Sequence, residues 1–115
     1  MCGITGAIWT DPDQAIDDAL LSRMTDSLTH RGPDDRGTLR SDFKLRPPYE
    51  SHPGVALGHR RLSIIDVAGG RQPISNEDET VWVIFNGEIY NFPALRQRLE
   101  GSGHKFKTNT DTETL

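Results

Sequence analysis

Residues 80–85 (TVWVIF) constrain the fold more than any other stretch of the chain. They form an almost unbroken series of β-branched and aromatic side chains, which reads as a strand covered on both faces. Such a strand needs apolar cover from two sides, in a chain whose hydrophobic content is only 34%. At 115 residues the chain is at most one small domain. Its core must therefore be thin, with the other apolar residues concentrated in a few aligned elements.

Those elements can be placed by pattern. Residues 3–9 (GITGAIW) read as a short buried strand. Asp11 and Pro12 are expected to open a helix, Asp as N-cap and Pro at the first helical position. Ile16, Ala19, Leu20, Met24 and Leu28 recur at helical spacing as its apolar stripe, and Gly32 and Pro33 stop it. A strand is expected over 38–45, a proline-rich loop over 46–53, and an extended pair of strand segments over 55–66. Arg60 and Arg61 sit there among apolar neighbours, where a charge tends to be paired or used. Gly69, Gly70, Gln72 and Pro73 mark a loop. Residues 91–101 read as a helix with Asn91 as cap and Leu95 and Leu99 inward, and 105–108 as a short strand. Thr110 and Glu113 have capping-box spacing and announce a helix, of which the chain to Leu115 holds only the first turn.

Charge and cysteine usage exclude several classes of function. The net charge of −4 offers no basic field for nucleic acid or an anionic membrane. A single cysteine rules out an intramolecular disulfide framework and a thiolate zinc site. The four histidines are dispersed, so no metal site is expected, and no glycine-rich phosphate loop is present. Neither a signal peptide nor an apolar run of the ~20 residues that span a membrane is visible, so a cytoplasmic location is expected.

Three polar features carry candidate chemistry. Cys2 follows the initiator methionine, and a small side chain there favours removal of Met1. An N-terminal cysteine would join a thiol to a free α-amino group, a nucleophile with its own base. Chance placement of a cysteine after Met1 explains the same residues about equally well. Residues 30–37 (HRGPDDRG) crowd His30, Arg31, Asp34, Asp35 and Arg36 into a short loop with Gly32 and Gly37. Ordinary turn chemistry accounts for the Gly, Pro and Asp, while the charge density suits a lid over a polar ligand. Asn86 and Gly87 directly follow the apolar run. They make a strong hairpin signal, or alternatively supply an amide and an unobstructed N–H to an oxyanion hole.

The motifs MCGI, HRGPDDRG, LGHRRLSIID and FNGEIYN, closed by T-x-T-D-T-E, stand in that order along the whole chain. Together they resemble the class II glutamine amidotransferase domain, an N-terminal-nucleophile hydrolase, in its glutamine-hydrolysing asparagine synthetase branch. The resemblance implies an α+β fold, a four-layer α/β/β/α sandwich, incomplete in this chain. It implies Cys2 as nucleophile, its α-amino group as base, and Asn86 with the Gly87 N–H as the oxyanion hole. Arg61 would clamp the α-carboxylate of glutamine, with the backbone of Ile64 and Ile65 beside it. Glu88 and Asp111 would receive the α-ammonium group. Arg31, Gly32, Pro33 and Asp34 would belong to a lid. A zwitterionic substrate needs such a cation at one end and an anion at the other. The implied products are glutamate and ammonia, the latter passed to a synthetase domain that uses ATP and Mg to amidate aspartate. This chain itself is expected to hold no cofactor, and a homodimer is left open. The family's domain is longer, so the alternatives are an idle fragment, an accessory glutamine-binding module, or an amidotransferase for another acceptor. A thiol peptidase is disfavoured, because no motif places a histidine as base.

Overall fold

The computed structural model describes residues 1–43, 53–62 and 70–115. Strands β1 (Gly3–Trp9), β2 (Asp35–Asp42) and β3 (Gly54–Arg61) form an antiparallel sheet in the order β1-β3-β2. Gly3 lies opposite Arg60 and Trp9 opposite Gly54, while Asp35 lies opposite Arg61. Directly opposed side chains share a face of a sheet. Thr5, Ala7 and Trp9 therefore point the same way as Gly58, Ala56 and Gly54.

Helix α1 (Asp18–Asp26) covers that face. Asp17 caps it, its Oδ1 accepting the Leu20 N–H at 2.6 Å. Leu21, 1% exposed, meets Trp9 and Ala56 in a small apolar cluster. A Cβ added at Gly58 would stand 2.2 Å from Thr25 Oγ1, so only glycine lets the helix approach so closely. Arg40 closes the edge, its guanidinium 5.3 Å from the Trp9 ring centroid and its Nε–H donated to the Ile16 carbonyl.

The opposite face carries Ile4, Ile8, Val55, Leu57 and Leu39. It is open at one end, where Ile8 is 82% exposed. At the other end it is covered around His59 and Gly37 by the segments holding Gln72 and Phe85. Strands β4 (Ile74–Ser75) and β5 (Trp82–Val83) pair as a separate antiparallel ladder. Helix α2 (Phe92–Gly101) packs against a 3₁₀ turn, Asp111–Thr114. The fold is thus a mixed α/β arrangement with antiparallel sheets. Among the described residues no helix is long and apolar enough to cross a membrane.

Several sequence expectations are corrected. The run 80–85 is not a strand buried on both faces: only Trp82 and Val83 pair, and Val81 is 62% exposed. Its early residues are claimed instead by a side chain, Asn76 Oδ1 accepting the Thr80 and Val81 N–H groups. Asp11 and Pro12 begin only a three-residue 3₁₀ turn, because Ala15 is extended and Asp17 supplies a second cap. With the helix starting later, its buried face centres on Leu21 and Thr25, and Ala19 is exposed. Residues 105–108 form no strand, since Glu113 takes up the Lys107 and Thr108 N–H groups. Thr110 does cap the last turn, but Glu113 does not complete the box. Asn91 occupies the N-cap of α2 without a side-chain cap bond. The strand expected over 38–45 starts earlier, at Asp35, and ends at Asp42. Of the segments expected over 55–66, the described part is the single strand β3.

Candidate active site

The sheet register decides where the site lies. Antiparallel pairing of Gly3 with Arg60 brings the start of β1 to the end of β3, so Cys2 lies beside Leu62. The Leu62 N–H points to Cys2 Sγ at 3.4 Å, and Sγ lies 3.8 Å from the Leu62 carbonyl. Arg61, 7% exposed, ends the same strand. The two neighbouring arginines diverge, as strand alternation requires. Arg60 turns to the α1 side and donates to Asp26 Oδ1 at 2.9 Å and to the Thr29 hydroxyl.

Cys2 and Arg61 both line an open cavity of about 320 Å³. Asn86, Gly87 and Glu88 line the same cavity, as do Thr110, Asp111 and Thr112. Asp111 is 6% exposed and well held. Its Oδ2 accepts the Ile89 N–H and its Oδ1 the Thr112 N–H, each at 2.8 Å. Asn86 and Gly87 are exposed and form no hairpin, because β5 has already ended at Val83. A Cβ at Gly87 would stand 2.4 Å from the tip of the Phe85 ring, so a side chain there requires that ring to move. Met1 also lines the cavity and is 78% exposed.

Cys2, Arg61, Asn86, Gly87, Glu88 and Asp111 are thus brought together from four separate parts of the chain. Ile64 and Ile65 lie outside the described residues. Arg31, Gly32, Pro33 and Asp34 do not line the cavity. Gly32 is instead buried against the Arg60–Arg61 peptide, and the Asp34 N–H donates to the Arg61 carbonyl at 3.1 Å. The loop thereby supports the strand end that carries Arg61. Among the described residues no group of His, Cys, Asp and Glu could hold a metal ion.

Two residues at this site have no role in the motif reading. Gln72 stood out in the sequence only as a loop marker beside Pro73, yet it is buried among the cavity residues. His59 lies on the same face as Leu57, a polar residue at an apolar-alternating position, and that alternation is the signal for it. Burial holds the His59 pKa below its ordinary value, with the Arg61 charge acting the same way; the Phe85 carbonyl and Asp35 oppose the shift.

The cavity joins a lone thiol, a buried cation, a buried anion and an amide-bearing arm, the equipment for nucleophilic attack on a small zwitterionic amide. The chain belongs to the glutamine amidotransferase domain family, whose pattern it matches over residues 1–115. It is 45% identical over 117 residues to asparagine synthetase (glutamine-hydrolyzing) 1 of Bacillus subtilis (strain 168), and 40% over 119 residues to asparagine synthetase (glutamine-hydrolyzing) 3 of that organism. It is 37% identical over 115 residues to asparagine synthetase (glutamine-hydrolyzing) 1 of Arabidopsis thaliana. Each alignment takes in 100% of this chain but only 17%, 17% and 18% of the respective relative.

Proposed function

We propose that this chain hydrolyses glutamine to glutamate and ammonia, as the glutaminase part of a longer asparagine-forming enzyme. The observation that carries the reading is the convergence of Cys2, Arg61, Asn86, Gly87 and Asp111 on one cavity. Removal of exposed Met1 frees the Cys2 α-amino group, which takes the thiol proton as Sγ attacks the side-chain amide carbon. Asn86 and the Gly87 N–H receive the oxygen of the tetrahedral intermediate. The proton passes to the departing nitrogen, ammonia leaves, and water cleaves the γ-glutamyl thioester. Arg61 holds the α-carboxylate, and Asp111 with Glu88 the α-ammonium group.

The relatives are named glutamine-hydrolyzing asparagine synthetases. We extend the proposal to a synthetase domain of the longer protein that uses ATP and passes the ammonia to aspartate, in the cytoplasm. The three-stranded sheet with α1 on one face corresponds to two layers of a four-layer α/β/β/α sandwich. In that arrangement the Ile8 side of the sheet receives the second sheet.

The test is ammonia release from glutamine by three forms of the protein: unmodified, Cys2→Ala, and extended by one N-terminal residue that cannot be removed. The unmodified form is expected to turn over and both altered forms to be inactive though folded. Near-normal turnover by the extended form would overturn the use of the terminal amine as base.

A further inference from the structure

Beyond β5 the chain runs to Asn86 without strand pairing, yet the Phe85 peptide groups are both satisfied. Gln72 Oε1 accepts the Phe85 N–H at 2.6 Å, and Gln72 Nε2 donates to Thr112 Oγ1 at 3.2 Å. From the sheet side, His59 Nε2 lies 3.2 Å from the Phe85 carbonyl oxygen. That oxygen can only accept, so Nε2 carries the hydrogen. Both side chains are buried, His59 at 1% exposure and Gln72 at 6%.

Resting on the glutaminase reading above, we propose that His59 and Gln72 are positioning residues for the reaction, clamping the Phe85 peptide so that Asn86 and the Gly87 N–H face the developing oxyanion. A peptide unit is planar, so holding the Phe85 carbonyl oxygen fixes the plane as far as the Asn86 Cα. Holding the Phe85 N–H fixes the plane before it. The two soft dihedrals of Phe85 then have little freedom, although no ladder constrains them. The far end of the arm is held as well, by the Ile89 N–H on Asp111 Oδ2. Gln72 joins the two anchors, since its partner Thr112 also donates its N–H to Asp111 Oδ1. The carboxylate that would hold the substrate ammonium and the arm that would hold the oxyanion thus share one network. An oxyanion donor works only within about 2.7–3.1 Å of its target, which explains why an otherwise exposed loop is tied at both ends.

The test compares His59→Gln with His59→Asn. Glutamine can place its amide nitrogen where Nε2 stands and still reach the Phe85 carbonyl; asparagine, one methylene shorter, cannot. His59→Asn is expected to lower kcat for glutamine hydrolysis by about 10–100-fold with KM little changed, the loss that a misplacement of about 1 Å produces. His59→Gln is expected to keep most of kcat. Gln72→Met should resemble His59→Asn, and ¹⁵N spectra should show the Gly87 amide displaced in both. Equal kcat in the two His59 variants would overturn the proposal, as would a rise in KM at constant kcat. Absence of turnover in the unmodified protein would instead remove the glutaminase reading, and the clamp with it.

Discussion

On the α1 side of the sheet, Trp9, Leu21 and Ala56 meet by shape, and the contact depends on small residues in β3 that let the helix approach. On the opposite side, at the His59 end, closure comes from hydrogen bonds: His59 to Phe85, Phe85 to Gln72, Gln72 to Thr112, and Thr112 to Asp111. Apolar packing is non-directional and tolerates small displacements. A buried polar chain is directional, and any member that loses its partner is left unsatisfied. The α1 side therefore supplies cohesion, and the polar side supplies the geometry of the cavity. Arg60 and Arg61, adjacent in β3, fall on either side of this divide.

The largest expected effect exploits that pair. Arg61→Ala should raise KM for glutamine by at least about 30-fold, since truncating one partner of a buried charge pair costs ~2–5 kcal/mol. Arg60→Ala should leave KM near its normal value and lower thermal stability instead, because its partners are Asp26 and Thr29. Steady-state kinetics on both variants decide this, and equal KM values would erase the distinction between the two faces.

Leu21→Ala comes next and should break the comparison from the other side. It removes the largest fully buried side chain of the apolar cluster, and the cost should fall near the low end of ~2–5 kcal/mol because so small a cluster can partly collapse. Denaturant unfolding measures the loss. Turnover per folded molecule should be unchanged, and a fall in kcat would show that the α1 side shapes the cavity after all.

The same divide governs what could be read from sequence. Strand β1 and the charged strand end at Arg61 were legible, because alternation and misplaced charge are local signals. The place of Asn86 and Gly87 at the cavity was legible only through motif resemblance, since by themselves they favour a hairpin, and none forms at that position. The run 80–85 misled because its β-branched and aromatic character describes fitness for a half-buried surface, and here Asn76 and solvent took the places of the expected neighbours. Gln72 could not have been found by pattern. Its partners lie 13 and 40 residues away, and no spacing rule joins them.

The smallest expected effect is a pH dependence that belongs to the polar side alone. Burial lowers the pKa of His59 below its ordinary value of about 6.5. The charged groups facing it, Arg61 and Asp35, act in opposite senses, so desolvation sets the direction. The unfolded chain therefore binds a proton at this histidine more readily than the folded one. The stability that neutral His59 contributes is fully present above pH ~6.5 and is lost below it, as pH falls toward and through the lowered folded-state value. Glu77 and Asp78 do not blur the window. Hydrogen bonds from the Lys105 N–H and the Thr80 hydroxyl hold their pKa values below the usual carboxylate range, so they titrate in more acid solution. Melting temperature measured from pH 8 to pH 5.5 should fall at the acid end in the unmodified protein and fall less in His59→Gln, which has no proton to gain. Parallel curves for the two proteins would mean that His59 can be charged without disturbing the network it anchors.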